Sequence, residues 1–179
     1  MSDERMSWAV KDTAVVRELR ELMNLTPAEC ALLAGLQEDA KAVAPALVED
    51  FYGRLLSHEA AKEFITDQKR LGGTLANWFV ELFGGNYDDA YAQKRLNIGM
   101  VHVKIGLPVR YPLAMVDVIS MHGERVASKN GEEAVKAFRK VLALDVATFN
   151  QAYESNQLHH LTELTGSERL ARRVLTGLA

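Results

Sequence analysis

The helical period runs through almost the whole chain, and it limits the fold more than any other feature. Apolar residues recur three and four positions apart in segment after segment, and no alternating strand pattern or Asn-Gly hairpin stands out against them. Prolines and widely spaced glycines act as punctuation. A short leading helix is expected over residues 13–23. Thr26-Pro27-Ala28-Glu29 reads as a capping box with proline in the first turn, so a second helix opens there. A third, over 42–56, places Val43, Ala44, Leu47, Val48, Phe51 and Leu55 on one face. Residues 58–66 form a short separate piece. Helices follow over 70–83, closed by Gly84-Gly85, over 88–105, closed by Gly106, and over 108–126, with Pro108 able to open it. Asn130-Gly131-Glu132-Glu133 caps a long helix running to about Leu164, and Ser167 starts a last helical stretch.

The chain is therefore all-α, with seven or eight helices joined by short connections. A globin-type packing and an extended bundle both satisfy that pattern, and periodicity does not choose between them. With 179 residues, 48% apolar and 25% charged, it has the size and make-up of one ordinary domain with a sizeable core. A net charge of −3 gives no reason to expect nucleic acid or an anionic membrane as partner. Cys30 is the only cysteine, which excludes a disulfide framework and a cysteine zinc site and fits a reducing cytoplasm. Apolar runs are short and broken by charge, so none spans a bilayer, and the first residues lack the apolar core of a signal peptide.

His102 is the residue with the clearest chemical promise. It lies near the end of the 88–105 helix, with Ile98 and Gly99 four and three positions before it and Ile105 three after. Its imidazole thus leaves an apolar stripe, with only a hydrogen beside it at Gly99. Such a site suits a flat apolar cofactor held close to the helix by a neutral histidine nitrogen. Geometry alone leaves a satisfied core histidine as the commoner outcome.

The string Val101-His102-Val103-Lys104-Ile105-Gly106-Leu107-Pro108-Val109-Arg110-Tyr111 resembles the proximal-histidine segment of the globin-coupled sensors, a bacterial haem family related to the protoglobins. The resemblance extends from about Leu25 to about Tyr153, with motifs in the family's order. It implies a globin fold with an additional N-terminal helix and an extended C-terminal helix: 1–24 a leading extension, 25–155 the haem-binding domain, 156–179 an extension or a linker to an output domain. It implies haem b, iron protoporphyrin IX, with His102 as axial ligand of the iron. Asp50-Phe51-Tyr52-Gly53-Arg54-Leu55 resembles the family's segment carrying a distal tyrosine, so with O2, CO or NO as the gas, Tyr52 is expected to donate a hydrogen bond to bound oxygen above all; a backbone carbonyl is the other partner open to its hydroxyl. Leu71 and Thr74 match the residues lining the ligand side, Leu71 controlling access and Thr74 offering a second hydrogen bond. A hydroxyl bonded back to its own helix is an equal reading for Thr74. Phe51, Leu75, Trp78, Leu82, Ile98, Gly99, Val101, Ile105 and Tyr111 complete the expected haem contacts. No histidine lies between His58 and His102, so the gas-contacting role of the storage globins' distal histidine passes to Tyr52.

Lys94, Arg95, Lys104 and Arg110 read as solvated charges, and His122, His159 and His160 as surface or packing residues. The 132–164 helix is apolar on more than one side, through Val135, Phe138, Val141, Leu142, Leu144, Val146 and Phe149; the 108–126 helix is similar. The family pairs these two helices across a homodimer, whereas a thicker monomer core would use the same residues. The functional expectation is a gas-sensing domain rather than an enzyme, signalling to an output domain or a separate partner. Alternatives are a haem enzyme with nitric oxide dioxygenase or peroxidase-like activity fed by an external reductase, or a haem-free helical interaction module.

Overall fold

Local signals set where each helix starts and stops. The computed structural model describes residues 6–177, and among them every regular element is helical. After α1 (Ala14–Leu22), α2 (Pro27–Ala34) opens on the expected capping box: Thr26 Oγ1 accepts the Glu29 amide at 3.2 Å, and the Glu29 carboxylate accepts the Thr26 amide at 2.8 Å. α3 (Gln37–Leu56) starts more than a turn before the expected residue 42. Ala40 extends the buried stripe of Ala44 and Leu47, and Glu38 and Asp39 place acid in the first turn, where the helix dipole favours it. Pro45 lies within α3 without ending it, its ring exposed. The 58–66 piece yields only the single turn α4 (Glu59–Lys62).

α5 (Gln68–Glu81) and α6 (Asp89–Lys104) are both capped by aspartate. Asp67 accepts the Arg70 amide and Asp88 the Tyr91 amide, each at 3.0 Å. α6 is closed by Gly106, which adopts φ +70°. There the Leu107 amide reaches the His102 carbonyl and the Gly106 amide the Val103 carbonyl, both at 3.0 Å. This paired closure needs a left-handed residue, so glycine ends the helix about a turn beyond His102. α7 (Arg110–Ala127) begins two residues after Pro108; Pro112 falls in its first turn, where no amide is required. α8 (Glu132–Thr165) runs 34 residues, roughly 50 Å at the α-helical rise. Beyond Gly166, α9 (Glu168–Thr176) folds back along α8, with Ala171 buried and Glu168 paired to Lys11 at 2.8 Å.

α8 is the spine of the molecule. α6, α2 and α7 all pack on it, and α3 packs on both α5 and α7. Leu33, Leu47, Phe79, Phe83, Phe138 and Leu144 are fully buried at the centre. Phe83 and Phe138 stack with ring centroids 5.3 Å apart, and the Phe138 ring occupies the space a Cβ on Gly123 would need. The several apolar sides of α8 are largely met inside the chain, because Phe138, Val141, Leu142 and Leu144 are all buried by its own helices. Among the described residues no helix is long and apolar enough to cross a membrane.

Candidate functional site

Five helices converge on one cavity. α3 contributes Phe51 and Tyr52; α5 contributes Leu71, Thr74, Leu75 and Trp78; α6 contributes Arg95, Ile98 and His102. Pro112, Leu113, Val116 and Ile119 of α7 and Asp145, Val146 and Phe149 of α8 close the remaining sides. The empty space between them, mouth included, is about 890 Å³. Its walls are mostly apolar, with a few polar groups at defined places, as in a small-molecule or cofactor site.

His102 is fixed by its own helix. Its Nδ1 lies 2.7 Å from the Ile98 carbonyl oxygen, which can only accept, so Nδ1 carries the proton. In the neutral ring Nε2, on the cavity wall, is then the nitrogen free to bind a metal. The Phe149 ring packs edge-on against it, centroids 5.2 Å apart.

Tyr52, on α3, is 6% exposed, and burial pushes its phenol above the ordinary tyrosine range. Among the described residues its hydroxyl forms no hydrogen bond, and it is open to the cavity, where a bound group can accept from it. The neighbouring Phe51 ring meets it edge-on at 5.3 Å. Thr74 differs: its hydroxyl donates to the Arg70 carbonyl at 3.2 Å, so its proton is committed to its own helix. The cavity therefore sets a neutral histidine nitrogen and a buried phenol without a partner among apolar walls. That donor set fits a haem held through the histidine, with a polar ligand on the tyrosine side.

Asp145 anchors a polar cluster on the same cavity. Arg95 Nε donates to its Oδ1 at 2.7 Å, the Tyr91 hydroxyl donates to the same oxygen, and Trp78 Nε1 donates to Oδ2 at 2.5 Å. Arg95 also pairs with Glu81 at 3.0 Å and lies over the Tyr91 ring at 4.2 Å. Arg95 and Asp145 are each 2% exposed. Burial holds the Asp145 carboxyl above the ordinary carboxylate range, and Arg95, Tyr91 and Trp78 offset only part of that rise. With the guanidinium beside it and three donors on its oxygens, we take it as a carboxylate.

Residues 12–159 match the protoglobin family. The chain belongs to that family. It is 32% identical over 138 residues to the haem-based aerotactic transducer HemAT of Halobacterium salinarum, a match spanning 68% of this chain and 28% of that protein. Among solved structures it is similar to the globin domain of a Geobacter sulfurreducens globin-coupled sensor, with a TM-score of 0.72 and 25% identity over 76% of this chain and 96% of the other. The fold is thus the globin fold, as the motif order implies.

In this protoglobin the expected contacts separate into two groups. Phe51, Tyr52, Leu71, Thr74, Leu75, Trp78, Ile98 and His102 line one cavity. Leu82 lies in the core instead, fully buried, and Val101 and Ile105 face outward, 57% and 51% exposed. Tyr111 packs on His58 and Phe64, with centroids 5.7 and 6.4 Å away. Gly99 faces α8, not the cavity: a Cβ there would fall 2.6 Å from the Ala152 Cβ and 2.8 Å from the Phe149 carbonyl oxygen. Its missing side chain lets α6 approach α8, rather than leaving room beside His102. Arg95 is a correction, buried and paired where the sequence suggests a solvated charge. His122 is buried and meets Asp50 of α3 at 3.3 Å, while His159 and His160 are exposed against Glu163. The sequence reading missed Asp145 and the cavity residues of α7. One signal was present for Asp145: a lone acid within the run Val141 to Phe149, one helical turn from two buried apolar residues.

Proposed function

We propose that this protoglobin is a gas-sensing domain that holds haem b, iron protoporphyrin IX, in the five-helix cavity and reversibly takes up O2, CO or NO. The observation that carries the reading is the pairing, in one apolar cavity, of His102, its Nε2 left unprotonated by the Nδ1 bond to Ile98, with the unpartnered phenol of Tyr52. Haem would supply a metal centre at which a diatomic gas binds. His102 Nε2 would be its protein ligand, oriented from α6 without help from a neighbouring carboxylate. Tyr52 would donate to a polarised ligand and so favour oxygen over the less polar carbon monoxide. Leu71 would narrow the approach, and Phe149 would keep the His102 ring from turning.

Sensing rather than catalysis is supported by the likeness to an aerotactic transducer and to a globin-coupled sensor. The chain spans 28% of the length of that transducer, so an output domain or partner that receives the signal is part of this proposal, as is a cytoplasmic location. A homodimer through α7 and α8 is proposed on narrower ground: the apolar side chains of Met121 on α7 and Leu164 on α8 are 50% and 83% exposed. Sedimentation should give a dimer, and a monomer when both are changed to glutamate; a wild-type monomer removes the dimer from the account. The haem reading itself is tested by titrating the purified chain with haemin. Uptake of one equivalent, with a ferrous spectrum that responds to oxygen and carbon monoxide, is expected.

A further inference from the structure

Trp78 both lines the cavity and donates through its indole nitrogen to Asp145 Oδ2 at 2.5 Å. The other oxygen, Oδ1, takes Arg95 Nε at 2.7 Å and the Tyr91 hydroxyl. On a planar guanidinium, Nε–H and one Nη2–H point the same way and form the fork that receives both oxygens of a carboxylate. Here only half of that fork is used. Arg95 Nη1 is turned to Glu81 at 3.0 Å, and Nη2 is buried without a hydrogen-bond partner among the described residues. The oxygen that would complete the fork is the one Trp78 holds. A buried donor is therefore left waiting for an acceptor that a residue of the cavity wall occupies.

From this we infer that Trp78, Asp145 and Arg95 form a two-position switch carrying occupancy of the Tyr52 side of the cavity to α8. With that side empty, Trp78 holds Oδ2 and ties α5 to α8. A ligand entering beside Tyr52 shifts the indole, and a rotation of the Asp145 carboxylate brings Oδ2 onto Arg95 Nη2. The carboxylate then sits in the complete fork, which tightens α6 on α8, and α5 loses its tie to α8 while keeping the Glu81–Arg95 pair to α6. The two arrangements exchange one hydrogen bond for another, which is what lets a ligand's preference shift the balance between them. This inference rests on the haem reading and adds the residues by which the cavity addresses α8.

The test is nitrogen-15 magnetic resonance of the full chain in two diamagnetic states: loaded with ferrous haem under carbon monoxide, and loaded with zinc protoporphyrin, which takes no gas. The chain has two tryptophans, and the Trp78 indole signal is the one lost in Trp78→Phe. The expected result is a strongly downfield indole proton in the zinc form. Under carbon monoxide it should lose that shift and exchange with solvent on the order of tenfold faster. The Arg95 Nη2 protons should become protected at the same time. In Arg95→Lys, which keeps the charge without the fork, the indole signal should stay unchanged between the two states. If that variant does not fold, the Nη2 exchange in the wild type decides alone. An indole signal identical in both states, while the Tyr52 ring signals move, overturns the switch and leaves the haem reading intact. Failure to load either porphyrin overturns the haem reading instead.

Discussion

Tyr52 and Thr74 show how two hydroxyls in one cavity acquire different roles. Thr74 can reach a carbonyl of its own helix and does, whereas the phenol of Tyr52 projects past its helix and finds no partner among the described residues. Tyr52→Phe should therefore speed oxygen dissociation from the ferrous protein on the order of ten- to a hundredfold, the worth of one hydrogen bond to a polarised ligand, and change carbon monoxide dissociation much less. Stopped-flow displacement of each gas measures this; equal effects on both gases would remove the hydrogen bond from the account. His102 and Tyr52 stand out in the sequence only through the family motifs, since their helix faces alone also suit a core histidine and a carbonyl-bonded tyrosine. Arg95 and Asp145 do not stand out, since a pair 50 residues apart is created by packing. Only the acid stranded among apolar residues hinted that a counter-charge must come from elsewhere.

Between α6 and α8 the close approach depends on Gly99. A methyl group there would meet a Cβ and a backbone carbonyl, neither of which can swing aside, so the helices must part. Gly99→Ala should cost ~1–3 kcal/mol in urea unfolding and weaken haem retention, because α6 carries His102 away with it. Unchanged stability and retention would show that the two helices are free to separate. Helix limits were readable at the Thr26 box and at the glycine after α6, whereas the Asp67 cap, followed by Gln68-Lys69-Arg70 instead of an apolar run, was not. The start of α3 was misjudged because Ala40 is too small to announce a buried face. Gly99 was placed on the right helix, but its role depends on which neighbour that face meets, and periodicity carries no such information.

Across the whole molecule, α8 links the parts. It supplies Asp145 and Phe149 to the cavity, buries most of its apolar surface within the chain, and carries α9 back along its far end. Helix order was legible from period and punctuation, while nine α-helices stand among the described residues where seven or eight were expected. The packing of α3 on α5 and α7, which brings three of the cavity's five helices together, became legible only through the family motifs, since an extended bundle would bury similar stripes. The proposed gas-sensing role depends on one proposed contact, His102 to haem iron. It is measured by recording ferric, dithionite-reduced and oxygenated absorption spectra of the haem-supplied protein beside His102→Ala, with and without added imidazole. The account predicts a reduced five-coordinate spectrum that converts on oxygenation, is lost in the variant, and returns in part with imidazole. A variant that keeps the full haem spectrum without imidazole would contradict it.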